Sequence, residues 1–227
     1  PGQNSLSSSV LSPTGGGDFS PNMASSPRTS RDAKSSTGAS SSSDRSSFHH
    51  SHGRFRLLVE NANSIKGKPA EVAEKLSYVK PHAYVVSETK LDKTVYSSEF
   101  MPPEYRNVFR NDRTIHGGGV LIAHREDVVA TPVKLDGIKN DCELTVSKIK
   151  MSGNQPPLYV MAYYRSQIDN SANSSLDSLE SAIRQVLELV GNSKATIILA
   201  GDFNCPGIDW DNLVPGNRVV GVSEKLI

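Results

Sequence analysis

A carboxylate and a carboxamide two residues apart, Asp202 and Asn204, close an apolar run, Ala195-Thr196-Ile197-Ile198-Leu199-Ala200-Gly201. Five of the six residues 195–200 are apolar and two are β-branched isoleucines, which predicts a buried strand. Gly201 permits a tight turn at its end. An alternation of two places Asp202 and Asn204 on one side of the chain if it stays extended. A carboxylate beside an amide at a strand end suits water activation or metal-phosphate chemistry. The plainer alternative is an Asp-Asn turn that caps the strand.

Three more polar groups occupy the same kind of position. Asn61 follows Leu57-Leu58-Val59, Glu88 follows Tyr84-Val85-Val86-Ser87, and Tyr164 ends Leu158-Tyr159-Val160-Met161-Ala162-Tyr163. In layered α/β folds strand ends gather at one edge, where ligands bind. Glu88 with Asp202 or Asn204 could offer a hard cation such as Mg²⁺ the oxygens it prefers, the ion keeping several waters. We expect the Glu88 and Asp202 carboxyl groups to fall within reach of one hydrated ion.

The elements that must position these groups are legible in the chain. Residues 55–61 read as a strand. Val72, Leu76 and Val79 follow at helical spacing between Pro69 and Pro81, and residues 83–87 form a second strand. This β-α-β unit predicts a parallel pair. Further strands are expected at residues 107–110, 118–123, 128–134, 142–151, 158–164 and 196–202. Leu176, Leu179, Ile183, Val186, Leu187 and Val190 mark one face of a long helix, with Ser174 or Ser175 as its cap and Asp177 and Glu180 in its first turn. Gly117-Gly118-Gly119 reads as a turn entering a strand rather than as a phosphate cradle. Many strands with interspersed helices predict an α/β sandwich of mixed sheets.

Residues 1–53 hold 18 serines, a triple glycine and few large apolar side chains, so this segment is expected to be a disordered tail, and the folded domain to span 54–227. His49, His50 and His52 would bind metal there only adventitiously. Of 25 Lys+Arg and 24 Asp+Glu, the tail carries four and three, which leaves 21 of each in the remainder. That balance excludes a strongly basic nucleic-acid binder, so phosphate recognition must come from local geometry or a metal ion. Cys142 and Cys205 make neither a disulfide framework nor a zinc set and favour a reducing compartment. No apolar run is long enough to cross a bilayer.

The ordered set Asn61-Ala62-Asn63-Ser64-Ile65, Ser87-Glu88-Thr89-Lys90-Leu91, Gly117 to Ala123, Tyr164-Arg165 and Gly201-Asp202-Phe203-Asn204 resembles the endonuclease/exonuclease/phosphatase superfamily, with its deoxyribonuclease-I-like fold. Arg110-Asn111-Asp112-Arg113 and Pro206-Gly207-Ile208-Asp209-Trp210 are similar to the endonuclease domains of jockey-like non-LTR retrotransposons. The resemblance implies a four-layer sandwich of two mixed β-sheets flanked by helices. It implies that Glu88 binds Mg²⁺, that Asn61 supports metal and phosphate, and that Tyr164 contacts the scissile phosphate. Asp202 would orient and deprotonate water, with Asn204 as its phosphate-orienting partner. Arg165 is a candidate for a flanking phosphate, against the alternative of an exposed surface arginine.

The implied partners are target DNA and, in a full-length element, a downstream reverse transcriptase domain and element RNA; the implied location is the nucleus. Family members end in a further acidic residue and a Ser-Asp-His triplet. None of the six histidines here follows Asp202, and residues 223–227 look like the first turn of a helix. The sandwich is therefore expected to be incomplete at the C-terminus, and the chain to nick DNA poorly. Two alternatives stand beside a DNA-nicking endonuclease. One is an abasic-site repair nuclease or phosphatase of the same superfamily; the other is an inactive retroelement relic with weak DNA binding.

Overall fold

A computed structural model describes residues 54–138, 142–166, 172–205, 208–209, 211–212 and 214–215. The expected disordered tail, Trp210 and the expected helix turn near Ile227 lie outside the described residues.

Strand β1 (Leu57–Asn61), helix α1 (Pro69–Val79) and strand β2 (Ala83–Ser87) form the expected unit, with β1 and β2 parallel. Pro69 sits in the first turn of α1, where a missing N–H costs no helical bond. Lys80 ends the helix in the left-handed conformation, its N–H donated to Leu76 O at 2.8 Å, and Pro81 prevents continuation. Strands β3 (Asn107–Asn111) and β4 (Val120–His124) complete one sheet in the order β1-β2-β4-β3, with β4 antiparallel to both neighbours.

The second sheet runs β5 (Ala130–Pro132), β6 (Glu143–Ile149), β7 (Leu158–Tyr164) and β8 (Thr196–Asp202). Its last pair, β7 and β8, is parallel and joined through α2 (Ala172–Val190). Both sheets are therefore mixed. A short antiparallel pair, β9 (Ile208–Asp209) and β10 (Val214–Pro215), follows.

Three apolar clusters stack these layers. Val85, Val120 and Ile122 of the first sheet meet Ile149, Leu158, Val160 and Ala162 of the second. Tyr84, Val86 and Leu121 pack outward on Val72 and Leu76 of α1. Val146, Tyr159 and Met161 pack outward on Leu176, Leu179 and Val186 of α2. The result is helix, sheet, sheet, helix, the four-layer sandwich expected from the sequence. Each fully buried Val or Ile contributes about 1.5–3 kcal/mol, so the strand ends are fixed by a well-packed interior.

Some expectations are corrected. Strand β8 lies at a sheet edge, so Ile197, Ile198 and Leu199 are half-buried rather than buried. β5 shrinks to three residues; it too is an edge strand, and Pro132 suits an edge because it has no N–H to donate. Helix α2 begins at Ala172, so Ser174 and Ser175 lie inside its first turn, and Asp177 and Glu180 lie beyond that turn. Ser175 is buried, with its hydroxyl paired to Tyr163 OH at 2.7 Å.

His124, fully buried, spans the two sheets. Asn107 O can only accept, so Nδ1–H donates to it at 3.0 Å and Nε2 accepts from Ser147 Oγ at 3.1 Å. Burial holds its pKa down at about 4. A folded value below the unfolded one stabilises the fold above pH ~6.5 and is lost as pH falls toward 4. Denaturant unfolding from pH 7 to 4 is expected to show a loss of about 3 kcal/mol that His124→Gln largely abolishes.

Candidate functional site

Each sheet delivers two side chains to the same edge through the ends of its parallel pair. In the first sheet Asn61 is in register with Ser87, so Glu88 lies one residue further. In the second, Tyr164 is in register with Asp202. Asn61 Nδ2 donates to Glu88 Oε1 at 3.0 Å and to Asp202 Oδ2 at 2.8 Å. The two carboxylates, distant in sequence and carried by opposite sheets, are thus no more than two hydrogen-bond lengths apart. Tyr164 OH donates to the same Glu88 Oε1 at 3.1 Å. Asn61 Oδ1 accepts the Asn63 N–H at 3.0 Å, which fixes the amide with its N–H₂ toward the carboxylates.

The backbone here is strained. Asn63, Ser64, Glu88, Lys90 and Asn204 all have φ between 42° and 85°, and among the described residues the only other non-glycine with positive φ is Lys80 at the end of α1. Ser64, Glu88 and Lys90 have no special tolerance for that region, so the surroundings must impose it. They do so by extending the β1–β2 pairing past the strands. Ala62 N–H donates to Ser87 O at 3.0 Å, Ser64 N–H to Glu88 O at 2.8 Å, and Ile65 N–H to Thr89 O at 3.1 Å. On the other side Thr89 and Lys90 donate to Gly119 O and Gly118 O, at 3.2 and 2.9 Å. The glycines therefore enter β4 as a turn that also holds the Glu88 loop.

Asn204 meets Asp202 through its backbone, and Arg165 holds the turn that follows. Asn204 turns left-handed at φ 48°, so alternation fails, and its amide donates to Arg165 O instead. Its backbone N–H caps Asp202 Oδ1 at 2.9 Å. Arg165 is neither an exposed surface arginine nor turned toward Glu88. It is 7 % exposed, and its guanidinium donates to Phe203 O at 2.9 Å and Asn204 O at 2.7 Å, clamping the turn that follows Asp202.

Two charged neighbours escaped the sequence. Lys90 donates to Asn63 Oδ1 and holds its ammonium 4.0 Å from Glu88 Oε2. Glu143, in register with Tyr164 at the start of β6, is buried against Gly119 N–H and Arg113. Glu143 opens Leu144-Thr145-Val146-Ser147-Lys148-Ile149, a strand of mixed polarity in which one more acid gives no sign of a site role. Burial pushes its carboxyl upward, the Gly119 N–H and Arg113 oppose that, and the Glu88 charge adds to it.

Tyr164 is pushed up to about 12, first by burial and then by its bond to Glu88. Tyr163 reaches about 12 chiefly by burial. Both phenols stay protonated and able to donate. In an ultraviolet titration both are expected to ionise near pH 12, and Tyr164→Phe to remove one late-ionising group. Because the folded value is raised, the associated stability is full below pH ~10 and is lost between 10 and 12.

A hard divalent cation fits this donor set. Glu88 Oε2 lies 4.0 Å from the Lys90 ammonium, and the Glu88 and Asp202 carboxylates converge on the Asn61 amide. No group of three or more His, Cys, Asp or Glu suited to a metal occurs among the described residues. Two carboxylates alone would leave most positions of a hard ion to water. A cavity of about 510 Å³ lined by Arg54, Phe55, His82 and Lys150 lies at the opposite edge, by the starts of β1 and β2. It takes no part in this cluster. No helix among the described residues is long and apolar enough to cross a membrane.

No protein-family model matches the sequence, and no curated protein sequence matches it. Solved structures do match in fold. The APE2 catalytic domain of Xenopus laevis aligns at 15% identity and TM-score 0.50, covering 66% of this chain and 58% of that one. TDP2 of D. rerio complexed with a single-strand DNA product aligns at 16% and 0.48, covering 66% and 60%. The endonuclease domain of TRAS1, a telomere-specific non-LTR retrotransposon, aligns at 18% and 0.45, covering 65% and 58%. The chain thus spans less than two thirds of each of these structures. At such identities the likeness is one of fold, and the fold is the two-sheet sandwich of the APE2 catalytic domain.

Proposed function

We propose that this chain is a Mg²⁺-dependent phosphodiester hydrolase that nicks DNA, the endonuclease domain of a non-LTR retrotransposon acting in the nucleus. One observation carries the hydrolase reading. A single amide, Asn61, holds carboxylates from two sheets together while a protonated tyrosine donates to one of them. Two carboxylates repel a bare phosphate, so the reading requires a cation between them: with a divalent ion held there, Lys90 adds positive charge beside a phosphate, while the Asn61 N–H₂ and Tyr164 O–H stay committed to the carboxylates.

Glu88 and Asp202 would hold the ion, with Asn61 fixing both. When bound, Mg²⁺ supplies charge to a non-bridging oxygen and acidifies a water. Asp202 would take the proton from the water whose oxygen attacks phosphorus, while the bond to the leaving ester oxygen breaks and that oxygen takes a proton from solvent. The Asn204 N–H on Oδ1 and the Asn61 N–H₂ on Oδ2 keep the Asp202 carboxylate aimed during that transfer. The Arg165 clamp keeps residues 203–204 from drifting.

The retrotransposon assignment, with its reverse transcriptase and RNA partners, rests on the motif order and the Arg110 to Arg113 segment. In the structure Arg110 is tied to Asp112 and to the carbonyls of Asp92 and Val95, a structural role. Substrate preference decides between the superfamily alternatives. The test pairs supercoiled plasmid conversion in Mg²⁺ or EDTA with Mn²⁺ broadening of the Glu88 and Asp202 amide signals. Glu88→Gln is expected to weaken the broadening about tenfold or more. Absence of both nicking and Mn²⁺ uptake would overturn the hydrolase reading. Uptake without nicking favours the inactive relic, and cleavage confined to abasic DNA favours the repair nuclease.

A further inference from the structure

We infer that Glu143 is the positioning residue for Glu88, acting through the backbone of Gly118 and Gly119; this rests on the hydrolase reading above. Among the described residues Glu143 bonds to Gly119 and Arg113 rather than to Asn61 or Asp202, and its side chain is 4 % exposed. Oε2 accepts the Gly119 N–H and Oε1 accepts from Arg113 Nη1 at 2.7 Å. The carboxylate occupies the space that a side chain at Gly118 would need: a Cβ there would lie 2.6 Å from Oε1. A Cβ at Gly119 would overlap the Thr89 hydroxyl. Both glycines have positive φ, 71° and 89°, so the hairpin backbone is shaped around Glu143 on one side and Thr89 on the other.

The chain of contacts then runs to Glu88 without a gap. Glu143 fixes the Gly119 amide; Gly119 O and Gly118 O fix Thr89 N–H and Lys90 N–H. Those two residues directly follow the left-handed Glu88, whose own carbonyl accepts from Ser64. A buried carboxylate is costly unless every acceptor position is used. A role confined to anchoring Arg113 would leave unexplained why Oε2 is spent on a backbone amide that leads to the site. Glu143 therefore holds the Glu88 loop where its carboxylate meets the Asn61 amide that also bonds Asp202.

Amide hydrogen exchange and Mn²⁺ titration test this on the full chain. Glu143→Ala is expected to speed exchange at Thr89 and Lys90 by about tenfold or more, with Val85 and Ile122 in the strands unchanged. It is expected to weaken Mn²⁺ binding by about tenfold. Glu143→Gln keeps an acceptor for the Gly119 N–H and should restore most of both. Arg113→Ala removes the ion pair alone and should leave exchange at Thr89 and Lys90 as in the parent chain. If Glu143→Ala does not fold, Glu143→Met fills the same volume without an acceptor and takes its place. Unchanged exchange at Thr89 and Lys90, or an equal effect from Arg113→Ala, would overturn the inference. So would a loosened loop with Mn²⁺ affinity intact. If the parent chain takes up no Mn²⁺, the hydrolase reading fails, and the exchange result alone decides whether Glu143 orders the loop.

Discussion

Asp202→Ala is expected to remove the weak Mg²⁺-dependent nicking expected of this chain, because one member of a concerted unit is removed. Its carboxylate is the meeting point of two donors from different elements, Asn61 of β1 and the backbone of Asn204. Alanine removes the proton acceptor and leaves the Asn61 amide with Glu88 alone. Asp202→Asn separates chemistry from structure. It keeps an oxygen for the Asn204 N–H but cannot accept a proton from water, so it should be nearly as inactive while unfolding normally. DNA binding, measured by fluorescence anisotropy, should change less than threefold in either variant, since most of a duplex's contacts are to phosphates elsewhere. Retention of more than about a tenth of the rate in both variants would remove Asp202 from the chemistry.

Gly201→Ala is expected to cost more than about 4 kcal/mol, or to prevent folding altogether. A Cβ there would lie 2.9 Å from the carbonyl carbon of Tyr163 and 3.0 Å from its nitrogen, and nearer still to its oxygen. These are backbone atoms of the adjacent strand and cannot swing aside. The φ of 139° is also one that L-residues rarely adopt. Tyr163 is the register partner of Gly201, and the next pair is Tyr164 with Asp202, so any separation of β7 and β8 parts two site residues at once. Denaturant unfolding and far-ultraviolet dichroism give the readout. A loss below about 1 kcal/mol would show that the two strands are not so close.

Much of this edge was legible in the sequence, for a physical reason. Apolar runs that end abruptly in Asn61, Glu88, Tyr164 and Asp202 can be read without knowing which strands pair, because strand ends gather at an edge in any layered arrangement. The period-two argument for Asn204 failed because it assumes extended backbone. Nothing in Gly-Asp-Phe-Asn announces that Asn204 will turn left-handed, although Asn tolerates that region better than most. Arg165 was misjudged because a lone arginine after a strand is usually solvated, and the carbonyls it clamps lie nearly forty residues on. Glu143 was invisible for the same reason: its importance comes from Gly118 and Gly119, brought to it only when the sheets stack. The half-buried face of β8 followed from strand order, which apolar content alone does not encode.

The left-handed residues around the site also mark where the chain can be made firmer. Each costs on the order of 1 kcal/mol that glycine or asparagine would recover. Two of the five, Asn63 and Asn204, already carry that economical side chain, whereas Ser64, Glu88 and Lys90 do not. An asparagine at position 64 would relieve that strain without touching a charge, whereas the same exchange at Glu88 or Lys90 would take a charged group out of the site.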